Sequence, residues 1–232
     1  MNNFLIIIQS RYLSNRLPGK ALLKIKKKEI LYHLVQRVKL SKFKDNFIIA
    51  TSKNKSDNII ANFCLRNNFK IFRGPLNNVY LRYVQIINKF KLDFVVRING
   101  DSPLIDYKII DKFILKYLEL KKVDLVTNTL VRSYPKGQSV EVINSKSLLK
   151  LKDKIKKKEH LEHVTKYFYD YRKKFKIYNF KNKKKLQDIN MSIDTKIDFN
   201  ILKKVFLHKK FNYKLTFQQI LRLNKKYYEI KK

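Results

Sequence analysis

The stretch Phe4-Leu5-Ile6-Ile7-Ile8-Gln9-Ser10-Arg11-Tyr12-Leu13-Ser14-Asn15-Arg16-Leu17-Pro18-Gly19-Lys20 decides the fold. Its opening is an unbroken apolar run that stops at polar Gln9 and Ser10, the pattern of a strand buried on both faces. A basic loop with a Pro-Gly turn follows directly. Comparable apolar runs recur at 47–50, 94–98 and 125–126, and helical spacing fills 30–40, 58–67, 79–90 and 109–120 between them. Strand and helix therefore alternate. This predicts an α/β fold with a mainly parallel sheet and helices on both faces, because parallel neighbours need crossover connections. Ligands of such sheets sit beyond the carboxyl ends of the strands, which is where the basic loop begins.

Past Val131 the pattern is less regular. It reads as a Tyr-Pro-Lys-Gly turn at 134–137, a strand at 140–143, helices near 145–152 and 159–171, strands near 175–180 and 190–193, and a helix over 197–207. No Gly/Ser-rich or Pro-rich linker and no internal repeat interrupts the chain, so residues 1–232 read as one domain with an elaborated C-terminal third.

The 232 residues are 44% hydrophobic, enough for a substantial core, and carry a formal net charge of +36. That charge points first to nucleic acid. It is, however, spread along the chain with many Ile, Asn, Phe and Tyr, as AT-rich codons would produce, and no RNP, KH or OB signature accompanies it. The single Cys64 has no disulfide or zinc partner, which leads to the expectation of a reducing, cytoplasmic setting. No segment has the roughly 18–20 apolar residues of a membrane span, and the first apolar run lacks the length and basic leader of a signal peptide.

The four Gly and four Pro fall into pairs: Pro18-Gly19, Gly74-Pro75, Gly100 with Pro103, and Pro135 with Gly137. In so Gly-poor a chain these pairs mark turns and close backbone approach. Three constellations surround them. Arg11, Arg16 and Lys20 suit a triphosphate, with Arg supplying forked donors and Lys a compact charge, although the loop is neither a Walker A nor a GxGxxG motif and a solvated basic loop explains it equally well. Asp101, beside Gly100 at a strand end, suits Mg²⁺, which prefers oxygen ligands shared with phosphates, while Asp106 fits a helix cap. Asp194 ends another strand and is a candidate second metal ligand, with Thr195 as a cap and Asp198 in the first helical turn. His160 and His163 lack the further ligands of a zinc site and read as structural.

Together these blocks resemble a family. QSRYLSNRLPGKAL at 9–22 is similar to the Q-A-R-x-x-S-x-R-L-P-G-K-x-L signature of SpsF-like cytidylyltransferases, relatives of the CMP-Kdo and CMP-sialic acid synthetases. The similarity continues in order through FRGPLNNVYLRY at 72–83, VVRINGDSPLID at 95–106, NTLVRSYPKGQSVEV at 128–142, LEHVTKYFY at 161–169 and SIDTKIDF at 192–199. The resemblance implies a glycosyltransferase-A-like, Rossmann-like fold. It also implies Mg²⁺-dependent transfer of CMP from CTP to a hydroxyl of an acidic sugar or related polyol, with release of pyrophosphate, in surface polysaccharide or glycan precursor synthesis. A homodimer through the C-terminal elaboration is compatible with it.

By carry-over, Arg11, Arg16, Lys20 and Asp101 would be catalytic, and Asp101 and Asp194 would hold the metal. Gln9, Ser10, Gly19, Gly100, Arg73, Arg82 and Arg97 would join the cationic loop in binding nucleotide. Tyr134, Gly137, Glu141, Glu162 and His163 would face the acceptor. Three departures stand out: Ser10 replaces the usual Ala, Lys166 stands where Pro is common, and Gln138-Ser139 replaces the frequent Leu-Asp. The last two bear on acceptor identity. Rival readings are a nucleotidyltransferase using another NTP and a metal-dependent glycosyltransferase. The latter would show Asp-x-Asp where this chain has Asn99-Gly100-Asp101, and the RLPGK loop favours nucleotidyl transfer.

Overall fold

The computed structural model describes residues 2–14, 16–120 and 122–223. In chain order the elements are β1 (Phe4–Gln9), β2 (Lys24–Ile25), β3 (Lys28–Glu29), α1 (Ile30–Val38), β4 (Phe47–Ser52), α2 (Asn58–Arg66), β5 (Ile71–Gly74), α3 (Val79–Phe90) and β6 (Phe94–Asn99). They continue with α4 (Tyr107–Glu119), β7 (Leu125–Thr127), β8 (Glu141–Asn144), α5 (Ser145–Leu149), α6 (Lys158–Glu162), α7 (Lys166–Asp170), β9 (Ile177–Asn179), α8 (Lys196–Leu207) and α9 (Phe217–Leu223). Strands β5-β4-β1-β6-β8-β7-β9 form one sheet in that order.

The apolar strands are explained by the layers that cover them. Ile6 and Ile8 enter one core with Ile30, Leu34, Ile60, Phe63, Ile110 and Leu202, whereas Ile7 enters the other with Tyr83, Ile86, Leu148 and Phe168. Helices α1, α2, α4 and α8 thus cover one face, and α3, α5 and α7 the other. Side chains alternate across a strand, so only a strand buried on both faces needs an unbroken apolar run. Polar caps set the helix starts: Asn78 accepts from Leu81 N at 2.8 Å, Asp106 from Lys108 N at 2.9 Å, and Thr195 with Asp198 forms a capping box on α8.

Several expectations are corrected. The parallel pattern holds for β1, β4, β5 and β6, but β8 inserts antiparallel between β6 and β7. Residues 190–193 form no named strand; Met191 N donates to Lys136 O at 2.8 Å and Ile193 N to Asp101 O at 2.9 Å, so the segment is pinned as an extended strap. The helix expected at 159–171 is broken into α6 and α7 by His163–Thr165, and β5 adds an edge strand at Ile71–Gly74. No helix among the described residues is long and apolar enough to cross a membrane.

From β1 the chain moves outward to β4 and β5, then returns to place β6 on the other side. That reversal opens a crevice between the carboxyl ends of β1 and β6.

Candidate active site

The crevice is a cleft of about 450 Å³ lined from several elements. Gln9 and Asn99 end β1 and β6 side by side, and Gly100 N donates to Gln9 O at 2.8 Å. A Cβ on Gly100 would lie 2.8 Å from Ser10 Cβ and 3.0 Å from Gln9 O, so glycine lets the two strand ends close beneath the cleft. The loop after β1 is tied down by buried Asp57, which accepts from Tyr12 N at 2.7 Å and Ser52 N at 2.9 Å. Gly19 N donates to Tyr12 O at 2.8 Å and closes the loop.

This closure carries Lys20 back over β6. Lys20 Nζ donates to Asp101 Oδ2 at 2.6 Å, Asp194 Oδ1 at 3.0 Å and Ile193 O at 2.7 Å, so all three ammonium hydrogens have acceptors. Arg16 approaches the same Asp194 oxygen at 3.0 Å. Asp101 and Asp194, far apart in sequence, therefore meet at one cation. Asp194 is placed by the 191–193 strap before it and by the α8 capping box after it.

On the α3 side, Arg11 donates to Glu162 Oε1 at 3.0 Å across the cleft, with both side chains partly exposed. Beside them lies an ion pair of buried Glu141 with Arg97, whose guanidinium also lines the cleft. Glu141 accepts from Arg97, Tyr169, Thr165 and Thr129, and Arg97 Nε donates to Gln9 Oε1 at 3.2 Å. Burial alone would raise the Glu141 carboxyl, but the Arg97 charge and the hydrogen bonds outweigh it and hold the group below its ordinary value. Burial likewise opposes the Arg97 charge, and Glu141 reverses the effect, so Arg97 stays ionised. Arg82 is also buried; desolvation holds its pKa below the ordinary value and its Nε has no partner.

The structure brings Gln9, Ser10, Arg11, Arg16, Lys20, Arg82, Arg97, Gly100, Asp101, Gly137, Glu162, His163 and Asp194 to this one cleft. It leaves four expected residues out of the lining. Gly19 serves the loop closure. Arg73 spends its guanidinium on Ser52 O at 2.9 Å, Asn54 O at 3.0 Å and Asn58 Oδ1 at 2.8 Å, bracing the turn after β4. Tyr134 is buried against Phe217, and Glu141 sits a layer below, behind Arg97.

Of the departures from the family pattern, Lys166 pairs with Asp170 at 3.0 Å and is absent from the lining. Gln138 is fully buried and stitches Leu104 O and Asp106 N to the approach of β8. Ser10 and Ser139 reach the cleft. Sequence reasoning singled out Ser139 as a departure bearing on the acceptor but missed Asn99, Arg132 and Lys136; proximity to Gly137 was the one signal for the last two. His160 is buried and bonds Asp170 at 2.8 Å, away from the cleft.

Comparison with known proteins follows the same geometry. The family model described as "Cytidylyltransferase" matches residues 5–232. The spore coat polysaccharide biosynthesis protein SpsF of Bacillus subtilis (strain 168) is 30% identical over 213 residues, covering 89% of this chain and 87% of that protein. A cytidylyltransferase structure from Leptospira borgpetersenii superposes with a TM-score of 0.93 at 28% identity, covering 97% of this chain and 95% of that one. A CMP:2-keto-3-deoxy-manno-octonic acid synthetase complexed with CTP superposes at 0.66 with 15% identity, covering 88% and 98%, and shares the fold.

Proposed function

The chain belongs to the cytidylyltransferase family, and from that premise we propose that it transfers the CMP moiety of CTP to a hydroxyl of an acidic sugar or related polyol. The product would supply surface polysaccharide or glycan synthesis. The observation that carries this reading is the convergence of Lys20, Asp101 and Asp194 at the mouth of a cleft floored by Gln9 and Gly100.

Asp101 and Asp194 fit a divalent cation such as Mg²⁺: both are hard oxygen donors and both already converge on one positive charge, the Lys20 ammonium. Bound there, such an ion would neutralise phosphate oxygens. The chain's own cations do the rest. Arg11 and Arg16 are partly exposed at the cleft and available to triphosphate oxygens, and Lys20 becomes available when its carboxylates are taken by another cation. The acceptor hydroxyl oxygen attacks the α-phosphorus in line, losing its proton to solvent, and forms the new P–O bond as the bond to the β-phosphate oxygen breaks and pyrophosphate departs. Positioning and charge stabilisation carry the step, and no covalent enzyme intermediate is needed.

The test is Asp101→Asn. Pyrophosphate release from CTP in the presence of Mg²⁺ and a sugar-acid acceptor should vanish while circular dichroism and thermal unfolding stay close to wild type. Wild-type turnover in that variant would remove Asp101 from the metal site.

A further inference from the structure

Most cations of the cleft are already matched. Arg11 faces Glu162, Arg16 and Lys20 face Asp194, and Arg97 faces Glu141. Arg132 and Lys136 differ: they line the same cleft from the connection between β7 and β8, and among the described residues neither meets a carboxylate. Arg132 is half-buried and oriented, with its Nη1 donating to Ser139 Oγ at 3.1 Å. That bond leaves the Nε/Nη2 edge of the guanidinium for a planar, two-oxygen partner.

The backbone beside them is fixed. Gly137 has φ of 86°, and a Cβ there would lie 2.6 Å from the Met191 carbonyl, so the turn packs directly on the strap that delivers Asp194. Lys136 N donates to Ile189 O at 2.9 Å and Lys136 O accepts from Met191 N at 2.8 Å. The two cations thus stand on a rigid wall that also carries a candidate metal ligand, on elements separate from the phosphate-binding loop.

Ser139 orients Arg132 without opposing its charge. An aspartate in its place would lie against the guanidinium and neutralise it. With serine, Arg132 keeps its positive charge at the cleft surface.

Resting on the nucleotidyl-transfer reading above, we infer that Arg132 and Lys136, with Ser139 orienting the guanidinium, form the subsite that binds the carboxylate of the acceptor. Arg82 also lines the cleft without a carboxylate, but it is buried and its Nη2 is spent on Pro75 O at 2.6 Å; once the triphosphate engages the loop cations, this wall carries the more exposed of the remaining unmatched cations. A carboxylate held there anchors the acceptor on a wall separate in sequence from the nucleotide loop, with its hydroxyl left free to attack the α-phosphorus. The subsite discriminates acids from neutral sugars because a neutral acceptor leaves the pair of cations uncompensated.

The test uses wild type, Arg132→Gln, Lys136→Gln, Ser139→Asp and Arg132→Lys. Binding of Mg²⁺ and CTP is measured first by calorimetry. Pyrophosphate release is then measured with a panel of sugar acids that includes 3-deoxy-manno-octulosonate and N-acetylneuraminate, with their methyl esters, and with sugar phosphates. The expected result is turnover of a sugar acid but not its ester. Its KM should rise at least tenfold in Arg132→Gln and Ser139→Asp and less in Lys136→Gln, with partial recovery in Arg132→Lys and the KM for CTP within twofold throughout. Equal KM values across the variants would show that these cations are only part of the chain's general basicity and would overturn the proposal. So would equal use of acid and ester, acceptance of sugar phosphates alone, or no accepted acid in a protein that binds Mg²⁺ and CTP. Failure of wild type to bind Mg²⁺ and CTP would defeat the nucleotidyl-transfer reading itself, and this subsite with it.

Discussion

Replacing Glu141 with leucine should be the most damaging single change beneath the cleft. The carboxylate is 2% exposed and accepts from Arg97, Tyr169, Thr165 and Thr129. Removing it leaves the largely buried Arg97 guanidinium without its counter-charge, a loss of about 3–5 kcal/mol. Thr129 and Tyr169 keep each other and Thr127 as partners, whereas Thr165 loses its acceptor, adding about 1 kcal/mol. The combined loss is about 4–6 kcal/mol, to be read from urea unfolding followed by circular dichroism at pH 7. The double variant Arg97→Met/Glu141→Leu removes both charges and should recover most of that loss, because two apolar side chains of similar size require no ion pairing. A loss below about 1 kcal/mol in the single variant, or no recovery in the double, would refute this account of the pair.

Two further outcomes follow from the same physics. His33 is buried, with Nε2 donating to Ile25 O at 2.8 Å and Nδ1 accepting from Tyr213 Oη at 2.6 Å, and burial lowers its pKa from the ordinary 6.5. The unfolded chain therefore binds this proton more readily, so stability present above pH 6.5 should fall as pH drops toward the folded-state value. His33→Gln should remove that part of the slope in pH-dependent unfolding, and an unchanged slope would clear His33 of the role. Lys20→Met should strengthen Mn²⁺ binding in the absence of nucleotide, because the ammonium and the ion compete for Asp101 and Asp194, while weakening binding of CTP; Mn²⁺ titration by electron paramagnetic resonance reads the first effect, and unchanged Mn²⁺ affinity would contradict it.

The sheet was legible because β1, β4 and β6 are buried on both faces, which leaves runs of apolar residues that composition does not blur, whereas the partly buried edge strand β5 left none. The antiparallel β8 was visible as a strand, but its place between β6 and β7 was not, since direction and neighbour are set by long-range pairing. Residues 190–193 looked like a strand because an extended strap pinned at Lys136 and Asp101 has the same alternation without a ladder. In the cleft, the RLPGK loop and the two aspartates were readable from motif and strand-end position. Arg73 and Glu141 misled for a common reason: a motif position says that a residue matters, not whether it faces the ligand or braces the residue that does. Arg132 and Lys136 were hidden among 54 Lys and Arg, where only the fold separates a cleft cation from a surface one.

The measurement that tests the central claim most directly is pyrophosphate release by the purified protein with CTP, UTP, GTP or ATP and a sugar-acid panel, with and without Mg²⁺. The account predicts release that requires Mg²⁺, an acid acceptor and CTP, and that disappears in Asp101→Asn. Acceptor-dependent release from another nucleotide in preference to CTP, or release indifferent to both Mg²⁺ and Asp101, would contradict it.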